Sequence, residues 1–189
     1  MNDVLQDRPS RDRQTDLTIW TVGHSTRSID EFIRVLASLQ IKTLIDVRTS
    51  PGSRLHPQFN KEQLKASLAK VGVDYHHLPS LGGRRRVKPD SRNTAWRNAS
   101  FRGYADHMES EEFQEGISKL LEFAREKRTA FMCAESLWWR CHRGLISDHL
   151  KAHDYRVVHL IDEKQTEEHP YTTAARIIDG RLTYEGLLP

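Results

Sequence analysis

Short apolar runs alternate with amphipathic segments along most of this chain, and this alternation restricts the possible folds more than any other feature. The strand-like runs occupy residues 17–22, 43–47, 73–78, 129–133 and 155–161. Strands that alternate with helices form a mostly parallel sheet with helices on both faces. We therefore predict an α/β fold: a single three-layer domain over residues 17–189, with a mostly parallel sheet of about five strands flanked by helices. The Asp179-Gly180 pair, flanked by RII and RLTY, predicts a C-terminal β-hairpin with a type I′ turn.

Three polar residues mark helix starts between these runs. Ser28, with Glu31 three residues later, forms a capping box, and Asn60 with Gln63 predicts a second helix start. Ser110 precedes a long amphipathic segment. Residues 80–104, rich in Gly, Arg, Asn and Ser, predict an irregular loop.

Composition narrows the class of protein. The chain has 189 residues, a net charge of +3 and an apolar fraction of 37%, which suits a globular domain. It contains no apolar run near the roughly 20 residues of a membrane helix, and its polar start resembles no signal peptide. We expect residues 1–16 to be a disordered tail. Two cysteines and no export signal favour a cytoplasmic protein without a membrane partner.

Chemically capable side chains follow several of the predicted strands. They are His24 and Ser25, Asp46 and Arg48, His76 and His77, Cys133 and Glu135, and His159 with Asp162. In parallel α/β sheets, ligands bind at the carboxyl ends of the strands near a topological switch point. The strand order is unknown from sequence, yet this convergence predicts a functional site at that edge.

Five ordered sequence blocks resemble the domain-of-unknown-function family 488. They read VGHSTRSIDEFIRVL, LIDVRTSPGSRLHPQFN, LPSLGGRR, WRNASFRGYADHM and FMCAESLWWRCHRGLISDHL, and they span about residues 19–161. The resemblance implies a small bacterial or archaeal α/β protein and supplies no reaction. LIDVR, followed later by a strand, a cysteine, a loop, an arginine and a helix, is also similar to rhodanese-like domains, at the level of the fold.

Both cysteines lie in the segment CAESLWWRCHRG, residues 133–144. Cys141 near a helix start suits a nucleophilic or redox thiol, because free backbone donors stabilise a thiolate; Cys133 suits a reactive thiol or a small core residue equally. His142 is a candidate partner of Cys141 only if the helix begins after Cys141, since adjacent helical residues do not face each other. Glu135, beside two tryptophans, is the candidate general acid or base.

Arginines and polar residues near these strand ends predict anion binding. The candidates are His24, Ser25, Arg48, Arg84, Asn98, Tyr104, Arg140 and Arg143. Gly82 and Gly83 would allow close approach to a ligand. The Cys133-to-Arg140 spacing and the absence of glycine in SLWWR argue against a phosphatase-type loop.

The leading hypothesis is an enzyme acting on a phosphate-bearing substrate, either a small molecule such as a nucleotide or a nucleic acid. One alternative is a non-catalytic nucleic-acid-binding module that uses residues 84–104, where seven Arg or Lys accompany Trp96, Phe101 and Tyr104. Another is a metal-dependent hydrolase with Cys133, Cys141 and His142 as ligands, joined by His24, His76 or His77. The C-x7-C-H spacing matches no compact zinc motif, so the sequence assigns no metal and leaves the cofactor unknown.

Overall fold

A computed structural model describes residues 17–186, which contain a six-stranded sheet and a separate hairpin. The predicted tail at residues 1–16 lies outside this part of the chain. The sheet has the order β3-β2-β4-β1-β5-β6, and all pairs are parallel except β5 with β6. Its strands are β1 (Thr18–Gly23), β2 (Thr43–Asp46), β3 (Asp74–His77), β4 (Thr129–Cys133), β5 (Arg156–Leu160) and β6 (Thr166–Glu168). This arrangement confirms the predicted α/β class.

Helices cover the two faces of the sheet, as predicted. The helices α1 (Ile29–Ser38) and α2 (Lys61–Ala69) pack with Trp20, Val22 and Met132 on one face. The opposite face carries α3 (Ala99–Met108), α4 (Glu111–Glu126) and α5 (Arg143–Ala152), over core residues that include Ile45, Phe131 and Cys133. Alternate residues of β4 thus enter opposite cores, which explains why residues 130–133 are all apolar.

The helix starts follow the predicted caps with one exception. The Ser28–Glu31 capping box is present at α1, and the Ser110 side chain caps α4 by accepting from the Phe113 N–H. Asn60 occupies the N-cap of α2, but its side chain makes no capping bond. Its Oδ1 instead accepts from the Ser53 N–H at 2.6 Å, so this residue closes the preceding loop.

One expectation, on residues 80–104, needs correction, and the sheet has one strand beyond the five predicted runs. The segment 80–104 is not irregular throughout, because α3 begins at Ala99 behind an Asn98 cap. The sheet gains a sixth strand, β6, whose sequence Thr-Glu-Glu has no apolar pattern and pairs antiparallel at the edge.

The C-terminal hairpin consists of β7 (Arg176–Ile178) and β8 (Arg181–Thr183), which pair antiparallel. Asp179 and Gly180 have φ values of 50° and 74°, as a type I′ turn requires at both central positions. Within residues 17–186, none of the helices combines the length and the apolar character needed to cross a lipid bilayer.

Candidate functional site

The strand order places a crevice at the carboxyl ends of β1 and β4. These neighbouring strands continue into α1 and α5, which pack on opposite faces of the sheet. Such a switch point leaves a gap between the two connections. A cavity of about 440 Å³ opens here, and its walls come from the segments that follow β1, β2, β3 and β4 and from α3.

Three side chains form a cluster at the floor of this cavity: Cys133, Cys141 and His142. The His142 Nδ1 lies 3.6 Å from the Cys141 Sγ and 4.0 Å from the Cys133 Sγ. Cys133 ends β4, whereas Cys141 follows the 3-10 turn Trp138–Arg140. Helix α5 begins at Arg143, so Cys141 precedes the helix, and the geometric condition on the Cys141–His142 contact is met.

The orientation of the His142 ring is set from both sides. Its Nε2 lies 3.0 Å from the carbonyl oxygen of Val47, an arrangement in which Nε2–H donates and the Nδ1 lone pair faces the sulfurs. Gly83 covers the ring, since a Cβ at this position would lie 2.5 Å from Nδ1. The sequence predicted that Gly83 would allow the backbone to approach a ligand closely. In the structure, the backbone at Gly83 closely approaches the His142 ring.

The two thiols are buried and electrostatically unequal. Burial opposes ionisation of Cys141, but the hydrogen bond from Cys133 and the proximity of His142 and Arg143 bring the net pKa of Cys141 well below its ordinary value. The hydrogen bond to Cys141, with burial, raises the pKa of Cys133 well above its ordinary value. The nearby His142 and Arg143 thus favour ionisation of Cys141 over that of Cys133.

Arg48 lines the cavity and is held in a buried ion pair with Asp46. Its Nε and NH2 groups donate to the Asp46 carboxylate at 2.9 and 2.5 Å, and the Tyr75 hydroxyl donates to the same carboxylate at 2.7 Å. Burial lowers the pKa of Arg48, but its hydrogen bond and charge interaction with Asp46 raise the pKa above the ordinary value. This ion pair with Asp46 consumes much of the donor capacity of Arg48.

His24 follows β1 and supports Arg48 from the other side. Its ring stacks on Phe59 with centroids 4.1 Å apart, its Nδ1 lies 2.8 Å from the Ser25 carbonyl, and its Nε2 lies 3.3 Å from the Arg48 NH1. Burial, the largest influence, lowers the pKa of His24 to about 4. This imidazole is therefore neutral near pH 7, with Nδ1–H donating and Nε2 accepting.

The rim of the cavity carries exposed charged groups. Arg84, Arg140 and Glu135 line it and are solvent-accessible. The sequence predicted that the tryptophans would surround Glu135, but Trp138 does not. Trp138 stacks on His159 with ring centroids 4.5 Å apart, and its indole N–H donates to Glu167 at 2.9 Å. Glu135 is thus a carboxylate at the edge of the cavity, without an apolar enclosure.

Arg143 holds the loop after β4 instead of facing the cavity. Its side chain is 1% exposed. The guanidinium donates to the Thr21 hydroxyl at 2.8 Å and to the carbonyl oxygens of Glu135 and Ser136 at 2.5 and 3.2 Å. Two loop carbonyls therefore point inward at a cation, the reverse of an anion-binding loop whose N–H groups converge.

Three other predicted anion ligands also lie off the cavity wall. Asn98 caps α3 by accepting from the Ser100 N–H, Tyr104 is fully buried and donates to the Leu81 carbonyl at 2.8 Å, and Ser25 adopts a positive φ after β1. The sequence also missed several lining residues: Thr49, Ser50, Ser53, His56 and Ser100. Most of these follow the carboxyl end of β2. Their position after a strand could therefore have predicted that they line the cavity.

The candidate metal ligands separate into two groups. Cys133, Cys141 and His142 offer ligand atoms within 4.8 Å of one another, and within residues 17–186 no further His, Cys, Asp or Glu joins this group. His76 instead packs on Phe123, and the His77 Nε2 lies 2.8 Å from the Arg48 carbonyl.

These features define a three-layer α/β protein with a Cys-Cys-His cluster beneath an arginine-bearing cavity. The chain belongs to the family described as Domain of unknown function DUF488, whose model matches residues 28–150. The resemblance drawn from the five sequence blocks is thereby confirmed. No curated protein and no solved structure matches the chain, and no match supports the likeness to rhodanese-like domains.

Proposed function

We propose that this protein is an enzyme that acts on a phosphate-bearing substrate, a nucleotide or a nucleic acid, within the cavity at the carboxyl ends of β1, β2 and β4. The observation that carries this proposal is the placement of two cationic side chains on the rim above a floor of two thiols and an imidazole. Cationic rims recognise anionic groups, and thiols and imidazoles are the side chains that most often supply reactive or metal-binding atoms.

The rim arginines differ from the other arginines near them. Arg85 pairs with Glu112 at 2.8 Å and Arg48 pairs with Asp46. Among residues 17–186, by contrast, no carboxylate lies within 4.0 Å of the guanidinium of Arg84 or Arg140. Their charges are therefore available to an anion from solution, and guanidinium groups suit the oxygens of a phosphate.

Glu135 has the position expected of a general acid or base. It lines the same cavity as the floor cluster and Arg140, and it is exposed to solvent, so it can exchange a proton with water between turnovers. A phosphate held by the arginines would leave the rest of the substrate free to reach the floor. This division assigns binding to the rim and chemistry to the floor with Glu135.

The alternative of a non-catalytic nucleic-acid-binding module receives less support from the contacts of residues 84–104. Arg85 is taken by Glu112, and Arg102 donates to the Trp96 carbonyl at 2.9 Å. Tyr104 is buried, and Trp96 packs against Phe101 and Tyr184. Much of the basic and aromatic surface that would stack on bases is thus used inside the protein.

The test compares ligand binding by wild type, an Arg84→Ala/Arg140→Ala double variant and an Arg86→Ala control, which removes an exposed arginine outside the cavity wall. The affinity for nucleoside monophosphates and for a single-stranded oligonucleotide is measured by isothermal titration calorimetry. We expect at least about a tenfold lower affinity for the double variant alone, because it loses two charge-assisted contacts. Equal binding by all three proteins would refute the assignment of the rim.

Turnover is measured separately, by mass spectrometry of the same ligands after incubation. Glu135→Gln should bind the ligands like wild type and convert them much more slowly. Binding with a steep salt dependence but without turnover in any protein would favour the binding module.

A further inference from the structure

The geometry of the floor points to a metal centre: we propose that Cys133, Cys141 and His142 bind one divalent ion of the zinc type, with the fourth coordination position open to the cavity. The metal site stands on its own contacts, whereas its catalytic role rests on the proposed function above.

The spacing of the three ligand atoms fits a tetrahedral ion. With Zn–S near 2.3 Å and Zn–N near 2.0–2.1 Å, tetrahedral angles separate a ligating sulfur and nitrogen by about 3.6 Å. The two sulfur–nitrogen distances here are 3.6 and 4.0 Å, and all three ligand atoms lie within 4.8 Å of one another. An ion would therefore reach all three with movements of at most about one ångström.

The surroundings of His142 match those of a metal-binding imidazole. Such a ring donates its second N–H to a carbonyl or carboxylate, which fixes the tautomer and directs the other nitrogen at the metal. The Val47 carbonyl occupies that position at 3.0 Å from Nε2. Gly83 provides the space for this ring orientation, because any Cβ there would strike Nδ1.

The convergence of three ligand atoms argues for a metal rather than a free nucleophile. Cys141 is 4% exposed and Cys133 is 9% exposed, and both thiols face one imidazole nitrogen. A nucleophile would need one sulfur, whereas an ion uses both sulfurs and the nitrogen at once. Two sulfurs and one nitrogen also select a borderline or soft ion over magnesium or calcium.

Three protein ligands with an open fourth position are the pattern of catalytic zinc, which holds a water there. The inferred reaction is hydrolysis. A water in that position loses a proton to Glu135, its oxygen forms a bond to the electrophilic atom of the substrate, the bond to the leaving group breaks, and the leaving group takes the proton from Glu135. Water is the co-reactant, and no oxidant or reductant is required.

The experiment uses the fact that the chain has two cysteines. The full chain is stripped with chelator under reducing conditions, and Co²⁺ is titrated while thiolate-to-cobalt charge-transfer absorption is recorded. Any such band must come from Cys133 and Cys141. We expect saturation at about one ion per chain, displacement by Zn²⁺, and a band reduced to about half by either Cys→Ser substitution, because charge-transfer intensity follows the number of thiolates.

Matched variants separate this site from the rest of the cavity. His142→Gln should weaken metal binding at least about a hundredfold, the scale on which even outer partners of metal ligands act. His56→Gln, which removes another histidine of the cavity wall, and the Arg84→Ala/Arg140→Ala variant should retain about one ion per chain.

Absence of a thiolate–cobalt band in folded wild type at excess Co²⁺ would overturn the metal site, and so would alkylation of both thiols at a rate that Zn²⁺ does not change. In that case, loss of nucleotide binding in the arginine variant would still support the proposed function. Conversely, a metal-loaded protein that binds no phosphate-bearing ligand would overturn the proposed function and leave the metal site standing.

Discussion

His159 lies in a buried chain of hydrogen bonds that should make the stability of this protein depend on pH. The His159 Nε2 lies 2.8 Å from the His169 Nδ1, and the His169 Nε2 lies 3.0 Å from the Asp148 carboxylate. The Thr21 hydroxyl lies 3.4 Å from the His159 Nδ1, and it accepts from Arg143. With His159 neutral, one of its ring nitrogens donates and the other accepts within this chain.

The magnitude follows from the pKa of His159. Burial, with smaller contributions from the charges of His169 and Arg143, lowers this pKa to about 2. The unfolded chain has an ordinary histidine pKa near 6.5, so it binds more protons than the folded protein below that pH. The stabilising contribution is therefore complete above pH 6.5 and decreases as the pH falls; between pH 7 and pH 5 the loss is about 2 kcal/mol in the free energy of unfolding.

The assay is urea denaturation followed by tryptophan fluorescence at pH 7, 6 and 5, for wild type and His159→Gln. Glutamine offers one donor and one acceptor to the same neighbours and does not titrate. We expect the variant to lose about 2 kcal/mol less than wild type between pH 7 and pH 5, whatever its stability at pH 7. His153→Gln, which removes an exposed histidine, should follow wild type. Parallel pH profiles for wild type and His159→Gln would refute the argument.

Three substitutions test other contacts. Gly83→Ala places a Cβ 2.5 Å from the His142 Nδ1 and should weaken Co²⁺ binding at least about tenfold, whereas Gly52→Ala, with open space at its Cβ, should not. Asp148→Asn leaves buried donors without their carboxylate and should lower the free energy of unfolding by at least about 2 kcal/mol in urea denaturation; an unchanged value would contradict that account. Ser28→Ala removes the α1 cap and should cost about 1 kcal/mol in the same assay.

The sheet and most helix starts could be predicted because their signals are local. Strand runs, the Ser28 and Ser110 caps and the Asp179-Gly180 turn each depend on neighbouring residues. Helix α3 was missed because its signal is weak: Gly103 interrupts it, and that glycine serves a distant contact, since a Cβ there would lie 2.7 Å from the Arg85 carbonyl. A tertiary requirement thus concealed a local pattern.

The location of the candidate site could be predicted from sequence, but sequence could not distinguish all the cavity-lining residues from buried structural ones. Position after a strand correctly brought His24, Arg48 and Cys133 to the cavity. Residue type failed for Arg143 and Tyr104, which were expected to bind substrate and are buried structural donors. A fully buried arginine is rare, and only the fold reveals that loop carbonyls occupy its donors.

Strand β1 lies inside the sheet, so a fragment of this chain must contain β1 to form the complete sheet. The matched family segment, residues 28–150, omits both β1 and β5, yet β1 lies between β4 and β5 in the sheet. A fragment cut at those limits would expose one side of β4 as an unpaired edge, a template for aggregation, and would remove Thr21, the partner of Arg143. A fragment made for gene fusion, deletion or domain transplantation should therefore contain the complete sheet, because the limits of the matched segment would divide it.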